Sequence, residues 1–451
     1  MAQNSSITIQ LRSINMVNNL PLMKPHIAKY IEMLREEMKA GEEGNPSDLS
    51  RYNILSCNVG LYGKFHCTLI LSESIDSKVN EMIYKVGDEV VLHTQSNEGN
   101  PRGNRVSFRG VVTDADDSAV KVQLHDDRAI RSGSKKQQGV VVMIHDMQDS
   151  TFRLSMGSFD KVTLKVIDAM DELAREGVGH PVAGGVVAKA FREGSSLPPP
   201  PPSEVKEVKN REGLNEGQVE AVRNALNRTV SLIHGPPGTG KTTAVVSLVE
   251  EAVKQGWRVL VTAPSNVAVD NVLERLDERG VEGMVRLGHT ARAGGSGRGR
   301  KWVLGNILEG HEGMMIVEDV RKEVEDIIRS MKRKRGGERK EGWRRVKEDR
   351  REIRERTDKV VREVVGNAKI VLTTCVGAKT RVMENETFDL VVVDEAGMCL
   401  EGWAWVPLLK GRRAVLAGDH LQLPPVVKNP KCGGLKVTLF ERMMRRGVER
   451  R

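Results

Sequence analysis

The 451-residue chain carries 70 Lys and Arg residues against 61 Asp and Glu residues, a net charge of +9, and 39% of its residues are hydrophobic. At about 150 residues per domain, this length predicts two or three domains with a sizeable core. No segment reaches about 18 consecutive apolar residues and the first residues lack the hydrophobic stretch of a signal peptide, which argues against an integral membrane protein and a secreted precursor. We expect a soluble intracellular protein without a membrane partner.

The cysteine pattern argues against both a disulfide framework and a zinc module. The five cysteines are odd in number, scattered along the chain and nowhere spaced as Cys-x-x-Cys. The N-terminus is poor in acidic residues, the first being Glu32, but its few basic residues make it a weak match to an organellar transit peptide. A reducing compartment fits the cysteine usage.

The first part of the chain predicts two helices that bracket a small antiparallel β-barrel. Residues 1–23 are polar without a clear period and indicate a flexible tail. Apolar residues at helical spacing predict an amphipathic helix over 26–40. Short strands of period two with regular turns over 52–154, one of them at 140–144, predict the barrel. A second helical pattern covers 162–177.

From Leu214 the pattern changes to strand, Gly-rich turn, helix and strand, which is typical of parallel α/β domains. We therefore expect an α/β fold with a parallel sheet at 213–451 and a β-barrel accessory domain at 24–180. Residues 181–212, which contain five consecutive prolines, are predicted to form a linker.

An insert at 291–366 carries most of the net charge, with 22 Lys and Arg residues against 15 Asp and Glu residues. Its helical flanks predict a basic helical hairpin that breaks at Gly336 and Gly337. The charge cluster favours contact with nucleic-acid phosphates, and i,i+4 ion pairs on exposed helices are the alternative. The candidate contacts are Lys332, Arg333, Lys334, Arg335, Arg344 and Arg345.

A predicted strand at 229–233 leads into a segment that satisfies the Gly-x-x-x-x-Gly-Lys-Ser/Thr pattern and precedes a helical pattern. This context predicts a P-loop rather than a chance Gly-rich turn. Backbone N–H groups and the helix N-terminus would hold phosphates, Lys241 would reach the β and γ oxygens, and Thr242 would ligate Mg²⁺. The candidate residues of the loop are Gly235, Pro236, Pro237, Gly238, Thr239, Gly240, Lys241, Thr242 and Thr243.

A second candidate feature is an acidic pair at the end of a predicted buried strand over 388–393. Asp394 would hold the metal, directly or through water, while Glu395 would orient and deprotonate an attacking water. Two solvated acids at a strand end are the alternative, which the neighbouring P-loop disfavours.

Two glutamines are candidates for nucleotide contacts. Gln422 follows a short apolar strand at 414–417 and would hydrogen-bond the γ-phosphate, although taken alone it reads as a solvated loop residue. The amide of Gln218 would suit the edge of an adenine. Because Asn215 and Gln218 also match a capping box, both interpretations of Gln218 stay open.

Five segments with these residues occur in one order: GPPGTGKT at 235–242, APSN at 263–266, TTC at 373–375, DEAG at 394–397 and GDHLQLPP at 418–425. Together they resemble motifs I, Ia, Ic, II and III of superfamily 1 helicases. Within that superfamily the sequence resembles the branch of the nonsense-mediated-decay helicase and the immunoglobulin mu-binding-protein helicase. Residues 60–64 and 286–289 make it more similar to the mu-binding side of this branch.

The resemblance covers nearly everything from 27 to 443 and carries several implications. It implies a RecA-like P-loop domain with the barrel on two stalk helices, and both the barrel and the basic insert touching nucleic acid. It implies hydrolysis of ATP with Mg²⁺. It also implies that Ser265, Asn266 and Thr373 meet the backbone of single-stranded DNA or RNA. A monomer of the cytoplasm, the nucleus or both is expected, with ribonucleoprotein, translation or replication factors as further partners.

The sequence departs from the family in two respects. It lacks the Cys/His-rich zinc domain of the decay helicase, which favours the mu-binding side of the branch. It also stops at Arg451, shortly after motif III, where the family continues into a second RecA-like domain with its arginine fingers. The expectation is therefore the ATP-binding half of a 5′-to-3′ helicase, with weak hydrolysis and no unwinding by the isolated chain. The alternative is a nucleotide-dependent nucleic-acid-binding module without motor activity.

Overall fold

The computed structural model places a β-barrel beside a parallel α/β domain. It describes residues 20–43, 47–59, 65–73, 89–94, 106–115, 119–124, 130–131, 151–156, 160–176, 180, 182, 186, 190, 208, 213–288, 298–331 and 336–445. The predicted strand at 140–144, the motif at 60–64 and the prolines at 198–202 lie outside these residues.

Six antiparallel strands of the described chain close into a barrel in the order β3-β7-β1-β2-β5-β4, and β4 pairs back with β3. A short β6 pairs with β4. In β5 every second residue is buried, because Val120, Val122 and Leu124 face the interior. The predicted barrel is therefore confirmed. The strands are β1 (Ser47–Val59), β2 (Phe65–Glu73), β3 (Glu89–Thr94), β4 (Val106–Ala115), β5 (Ala119–Leu124), β6 (Ile130–Arg131) and β7 (Thr151–Met156).

Helices α1 (Leu20–Glu43) and α2 (Asp160–Glu176) precede and follow the barrel strands. Helix α1 begins six residues before the predicted start, so the expected tail over 1–23 overlaps its first turn, and residues 1–19 lie outside the described chain. Pro21 is compatible with this start, since the first turn leaves its backbone nitrogens without intrahelical acceptors. Four apolar residues at helical spacing are buried: Ile27, Tyr30, Ile31 and Leu34.

Six parallel strands form the sheet of the second domain in the order β10-β11-β9-β12-β13-β8. They are almost entirely buried apolar runs, as expected for a parallel sheet with helices on both faces, and the predicted α/β fold is confirmed. The strands are β8 (Val230–His234), β9 (Val259–Ala263), β10 (Met284–Arg286), β11 (Ile370–Thr374), β12 (Leu390–Val393) and β13 (Ala414–Gly418). The nearby helices are α3 (Glu216–Asn227), α4 (Lys241–Lys254) and α5 (Asn266–Glu278).

The charged insert contains a short helix α6 (Leu304–Glu309) and two long helices, α7 (Glu312–Met331) and α8 (Gly336–Asn367). The long helices run antiparallel. An added Cβ at Gly313 would lie 2.8 Å from a methyl of Val360, and one at Gly342 would lie 2.8 Å from the sulfur of Met331. The two long helices are separate, as the predicted break requires, but Gly336 and Gly337 belong to the first turn of α8 and not to the segment between the helices.

The α/β domain binds helix α1 through residues distant in sequence. The hydroxyl of Tyr30 accepts a hydrogen bond from the Gly402 N–H at 3.0 Å, at the start of helix α9 (Glu401–Leu408). An added Cβ at Gly402 would come within 2.6 Å of Val166 in α2. Glycine at this position therefore lets α9 approach both α1 and α2.

A buried ion cluster completes this attachment. The carboxylate of Glu401 accepts from His26 at 3.0 Å and from Arg442 of helix α10 (Leu439–Arg445) at 2.9 Å. Burial alone would raise the pKa of Glu401, but the hydrogen bond from His26 and the charge of Arg442 outweigh it, so the pKa lies below its ordinary value. The cluster joins the first and last helices of the described chain.

Only a few residues of the predicted linker are described, and their side chains are buried. Val182, Val186 and Ala190 are helical and buried in the same apolar core as α1 and α2, and Val208 is buried against the α/β domain. All five cysteines are free thiols. None of the helices in the described part of the chain combines the length and hydropathy that crossing a bilayer requires.

Candidate nucleotide-binding site and nucleic-acid interface

The P-loop joins the end of β8 to the start of α4. Gly238 and Gly240 both have φ of 79°, a left-handed conformation that glycine adopts without a Cβ clash. Gly240 is the N-cap of α4, and an added Cβ there would lie 2.4 Å from the side-chain nitrogen of Gln218. The glycine spacing in the sequence is therefore required by both the backbone turn and the close approach of helix α3.

The ammonium group of Lys241 is hydrogen-bonded to the backbone of this loop. Its Nζ donates to the backbone oxygens of Gly235 at 2.6 Å and Pro236 at 3.1 Å. The hydroxyl of Thr239 also donates to Pro236 O, at 2.8 Å. These bonds hold a positive charge beside the N–H groups at the start of α4, an arrangement suited to a phosphate.

Gln218 connects the P-loop to helix α3. Its backbone N–H donates to the Asn215 side chain at 2.9 Å while its own Oε1 accepts from the Asn215 N–H at 3.0 Å, so the predicted capping box is present. Its Nε2 donates to Thr239 O at 3.0 Å. The adenine contact stays a prediction, and the structure places the amide next to the loop that would hold the phosphates.

The acidic pair lies at the carboxyl end of β12. Asp394 is buried, and one of its oxygens accepts from the Glu395 N–H at 3.0 Å. Burial, helped by the nearby charge of Glu395, raises the pKa of Asp394 to about 6, against the opposing influence of Lys241. A buried carboxylate with a raised pKa, next to a second carboxylate and within the electrostatic influence of the P-loop lysine, forms a site that favours a cation.

Glu395 has an unusual backbone conformation. It is the single non-glycine residue with positive φ in the described ranges, at φ 52° and ψ 36°. Such a conformation costs about 1 kcal/mol or more for a residue with a Cβ, and strain of this kind clusters at functional sites. The turn places the Glu395 side chain outside the strand, where it is half-exposed, while Asp394 stays buried.

The segments that follow β12 and β13 are in backbone contact. An added Cβ at Gly397 would lie 2.3 Å from Asp419 O, and one at Gly418 would lie 2.7 Å from Gly397 N. These two glycines allow the loop after the acidic pair to touch the loop that carries Gln422. The parallel sheet thus brings three separate sequence motifs to one edge.

Asp419 organises the loop after β13. Its carboxylate accepts from the Leu421 N–H at 3.0 Å, from Gln422 Nε2 at 3.1 Å and from His234 Nε2 at 3.3 Å. Burial would raise the pKa of Asp419, but these three hydrogen bonds outweigh it and lower the pKa below its ordinary value. Sequence reasoning singled out Gln422 but missed Asp419 and His234, whose pairing needs β8 and β13 to be neighbours.

The residues expected to contact a nucleic-acid strand lie at the start of α5. Ser265 is exposed, and its hydroxyl accepts from the Ala268 N–H at 3.2 Å as an N-cap. Asn266 is half-exposed, and its side-chain oxygen accepts from Arg286 Nη2 at 2.9 Å. The guanidinium of Arg286 is fully buried and also donates to Asp270 at 2.7 Å. Arg286 was part of a motif in the sequence, but its role was not predicted.

Thr373 does not share this exposure. It lies in β11 and is 2% exposed, whereas its neighbour Thr374 is half-exposed and accepts from the Gly377 N–H at 3.2 Å. The contact between Thr373 and a strand stays a prediction. If this edge of the sheet binds a strand, Thr374 presents the more accessible hydroxyl.

The predicted phosphate contacts of the insert divide into two groups. Residues 332–335 lie outside the described chain. Arg344 pairs with Glu341 at 3.8 Å, and Arg345 pairs with Glu323 of α7. Further ion pairs at i,i+3 and i,i+4 spacing run along both long helices, so part of the charge is used within the hairpin.

The arginines near the C-terminus have partners within their own domain. Arg442 binds the buried Glu401, and Arg445 pairs with Glu441 one turn earlier in α10 at 2.5 Å. Both arginines therefore lie on a helix of the same domain as the P-loop.

Several relatives are similar to long stretches of the chain. The DNA-binding protein SMUBP-2 of Rattus norvegicus is 40% identical over 238 residues, which are 51% of this chain and 24% of that protein. The DNA polymerase alpha-associated DNA helicase A of Schizosaccharomyces pombe is 30% identical over 80% of this chain and 52% of that protein. A regulator of nonsense transcripts 1 homolog of Arabidopsis thaliana is 28% identical over 82% of this chain and 27% of that protein.

The P-loop at the start of α4 and the acidic pair at the end of β12 define a P-loop NTPase domain. Residues 213–430 match the family model described as an AAA domain. These similarities support the resemblance to the superfamily 1 helicases that the motifs predicted, in the branch of the relatives just named. The chain spans between a quarter and about half the length of these three relatives.

Proposed function

We propose that the chain is the ATP-binding part of an ATP-dependent helicase that moves 5′-to-3′ on single-stranded DNA or RNA. The observation that carries this proposal is the convergence of three motifs on one edge of a parallel sheet. Lys241 lies in the P-loop, Asp394 and Glu395 end β12, and Gln422 is held by Asp419 after β13. This is the set of groups that phosphoryl transfer to water requires on the nucleotide side.

Nucleotide binding would exchange protein hydrogen bonds for bonds to phosphate. The ammonium of Lys241 would leave the backbone oxygens of Gly235 and Pro236 for the β and γ oxygens, a charge-assisted contact that is stronger than those it replaces. The N–H groups at the start of α4 would hold the same phosphates. Gln218, already beside Thr239, would meet the adenine edge with its second amide hydrogen.

The residues present fit a magnesium ion. Asp394 offers a buried carboxylate whose pKa is raised by burial and by Glu395, and a divalent cation would relieve both penalties. Together with the hydroxyl of Thr242 it would form a hard-oxygen donor set of the kind that Mg²⁺ prefers. When bound, the metal would neutralise charge on the β and γ phosphates.

Glu395 and Gln422 would act on the attacking water and the γ-phosphate. Glu395 has a left-handed backbone and is half-exposed next to the buried Asp394, and its carboxylate would accept the proton of the water. The Nε2 of Gln422 donates to Asp419, which leaves its Oε1 and second amide hydrogen for contacts in the site. Loss of the γ-phosphate would therefore remove a contact of the loop after β13.

Strand binding is assigned to the start of α5 and to the accessory parts. Ser265 and Asn266 would contact the sugar-phosphate backbone, with Thr373 and its neighbour at the end of β11 beside them. The barrel on helices α1 and α2 and the basic hairpin would extend the contact surface. We place the protein, as a monomer, in the cytoplasm, the nucleus or both, with ribonucleoprotein, translation or replication factors as partners.

The test measures ATP hydrolysis by the purified chain with and without single-stranded DNA and RNA, beside unwinding of duplexes with a 5′ or a 3′ tail. Strand-stimulated hydrolysis, absent in Glu395→Gln, supports the proposal. Failure to bind single strands, or preference for the 3′-tailed duplex, contradicts it. Binding of ATP and strands without any strand-stimulated hydrolysis would instead assign the chain to a nucleotide-dependent binding module, whereas absence of unwinding by the isolated chain is expected under both interpretations.

A further inference from the structure

Two imidazoles and one carboxylate converge at the end of β8, directly before the P-loop in sequence. His234 is the last residue of β8, and Asp419 and His420 follow β13 directly. Each offers one ligand atom, and these atoms all lie within 4.8 Å of one another. The register of the sheet causes this meeting, because β13 pairs with β8 and sets Gly418 opposite His234.

Hydrogen bonds within the cluster satisfy only some of its polar atoms. His234 Nε2 lies 3.3 Å from Asp419 Oδ1, a long contact for a hydrogen bond to a carboxylate. The Nδ1 of His420 is buried, and within the described residues it has no hydrogen-bond partner. A buried nitrogen without a partner destabilises the folded state, so a group that binds it would stabilise the fold.

The spacing of the donors suits a tetrahedral metal ion. Zinc binds imidazole nitrogen and carboxylate oxygen at about 2.0–2.2 Å, which sets neighbouring ligands about 3.3–3.5 Å apart. The 3.3 Å between His234 Nε2 and Asp419 Oδ1 matches one edge of such a tetrahedron. No two of the three donor atoms are more than 4.8 Å apart. A side-chain rotation that moves the His420 nitrogen by about 1–2 Å would therefore bring the remaining two donor–donor distances to the values of a zinc site.

Aromatic contacts surround the two imidazole rings. The ring of His420 lies 5.2 Å from that of His234 and 6.3 Å from that of Phe440, with tilted planes. Phe440 belongs to α10 and is fully buried, so it forms an apolar wall on one side of the cluster. Two imidazoles and one carboxylate beside such a wall are a ligand set typical of zinc rather than of magnesium, which prefers all-oxygen sites.

From this geometry we propose that His234, Asp419 and His420 bind a zinc-class divalent cation at a site separate from the magnesium site at Asp394. The cysteine spacing excluded a zinc module, but it could not reveal these ligands, which come from the ends of two strands far apart in sequence. The ion would connect the residue before the P-loop to the carboxylate that holds Gln422. Binding of the ion would therefore affect the positions of the P-loop and of Gln422 in the nucleotide site.

The first experiment uses the full chain after treatment with a chelator. Titration with Zn²⁺, followed by calorimetry without nucleotide, is expected to show one ion per chain and a raised Tm. Substitution of Co²⁺ is expected to give the visible absorption of a tetrahedral nitrogen and oxygen site. An absent tetrahedral spectrum, or a thiolate-to-cobalt charge-transfer band, would overturn the proposal, because the latter would assign the metal to the cysteines.

Variants then locate the site. His420→Ala and the more conservative His420→Gln are each expected to weaken Zn²⁺ binding at least tenfold, and His234→Gln likewise. The matched control is His311→Ala, which removes a half-buried imidazole outside the cluster. Circular dichroism of the metal-free proteins establishes that each variant is folded. Equal Zn²⁺ affinity in the parent and in the folded cluster variants would refute the site.

Discussion

The guanidinium of Arg286 donates through Nη2 to the side-chain oxygen of Asn266 over 2.9 Å. Arginine has donors only, so the atom it contacts must be the amide oxygen, and the amide nitrogen of Asn266 points the other way. Arg286 is itself fixed by the buried Asp270 at 2.7 Å. A buried ion pair thus orients a half-exposed amide so that it presents a donor at the proposed strand-binding surface.

Asn266→Asp tests this orientation directly. The aspartate keeps an oxygen for Arg286, so the fold should be maintained, but it replaces the outward donor with a negative charge. We expect single-strand affinity to fall about tenfold to a hundredfold, the value of a lost charge-assisted hydrogen bond. Fluorescence anisotropy with a labelled oligonucleotide measures the change.

Asn271→Asp is the matched control, since it makes the same charge change at an exposed position of the same helix. It should leave strand affinity within about twofold. Nucleotide affinity should be unchanged in both variants. Equal strand affinity in Asn266→Asp and Asn271→Asp would remove Asn266 from the interface.

Lys241 and Glu395 are expected to separate nucleotide binding from hydrolysis. Lys241→Ala should abolish binding of a fluorescent ATP analogue, because the charge at the β and γ phosphates is lost. Glu395→Gln should retain binding and lower hydrolysis by about 10²–10⁴, the contribution of a positioned general base. Lys254→Ala, at the exposed end of the same helix, is the control. Equal affinity of Lys241→Ala and the parent for the ATP analogue would contradict the assignment of Lys241 to phosphate binding.

Local patterns in the sequence predicted much of this molecule. Period-two alternation in Val120, Val122 and Leu124 predicted barrel strands, and short apolar runs predicted the parallel strands. The Asn215 and Gln218 pair predicted a capping box that the structure contains. These features are decided by interactions within a few residues, which a single sequence displays.

The parts that the sequence did not predict depend on strand order and on distant contacts. His234 meets Asp419 only because β13 lies beside β8, and Glu401 meets His26 across 375 positions of sequence. Arg286 reads as a charged residue near a strand end, yet it is buried at 0% exposure. Long-range pairing of this kind has no local signature in one chain.

The raised pKa of Asp394 predicts a pH-dependent magnesium requirement. A proton and Mg²⁺ would compete for this carboxylate, whose pKa is about 6. Lowering the pH from 7.5 to 5.5 should therefore weaken the apparent Mg²⁺ affinity about fourfold, as the ionised fraction falls. The Mg²⁺ dependence of analogue binding at several pH values measures this. Asp394→Asn should show only the pH dependence of the nucleotide itself, and an equal dependence in the parent would contradict the role of Asp394.

The buried cluster at Glu401 predicts how acid affects stability. Glu401→Gln should lower the free energy of unfolding by about 2–4 kcal/mol at pH 7, somewhat less than for a fully buried pair because Arg442 stays 24% exposed. The folded pKa of Glu401 lies below its ordinary value of 4.5, so its stabilisation is present above that value and is lost as the pH falls through the folded pKa.

Urea unfolding at pH 7 and pH 4 provides the measurement. The gap between the parent and Glu401→Gln should narrow in acid. Glu441→Gln is the control, since it breaks an ion pair on α10 whose arginine is 66% exposed, and it should cost only a few tenths of a kcal/mol. A gap that is constant with pH would show that the charge of Glu401 does not stabilise the fold.

The phosphate contacts of the basic insert are expected to come mainly from the four basic residues at 332–335, which lie between α7 and α8 in the sequence. Replacing Lys332, Arg333, Lys334 and Arg335 by Gln should weaken single-strand binding by a similar factor for all sequences. The log–log dependence of affinity on salt should lose a slope of about 0.7 for each phosphate contact removed, because fewer counterions are released. A second variant with Gln at Arg344 and Arg345 should change the slope less, since both arginines already have acidic partners.

The control removes the same amount of charge farther along α8, with Gln at Arg351, Arg354, Arg356 and Arg362. Arg351 and Arg356 form i,i+4 ion pairs with Glu355 and Glu352, so their charge is already largely compensated within the helix. A larger slope change in the variant at 332–335 than in this control would assign the phosphate contacts to residues 332–335, because both variants alter the net charge equally. Equal slope changes in the two variants would mean that the hairpin contributes only a general positive field.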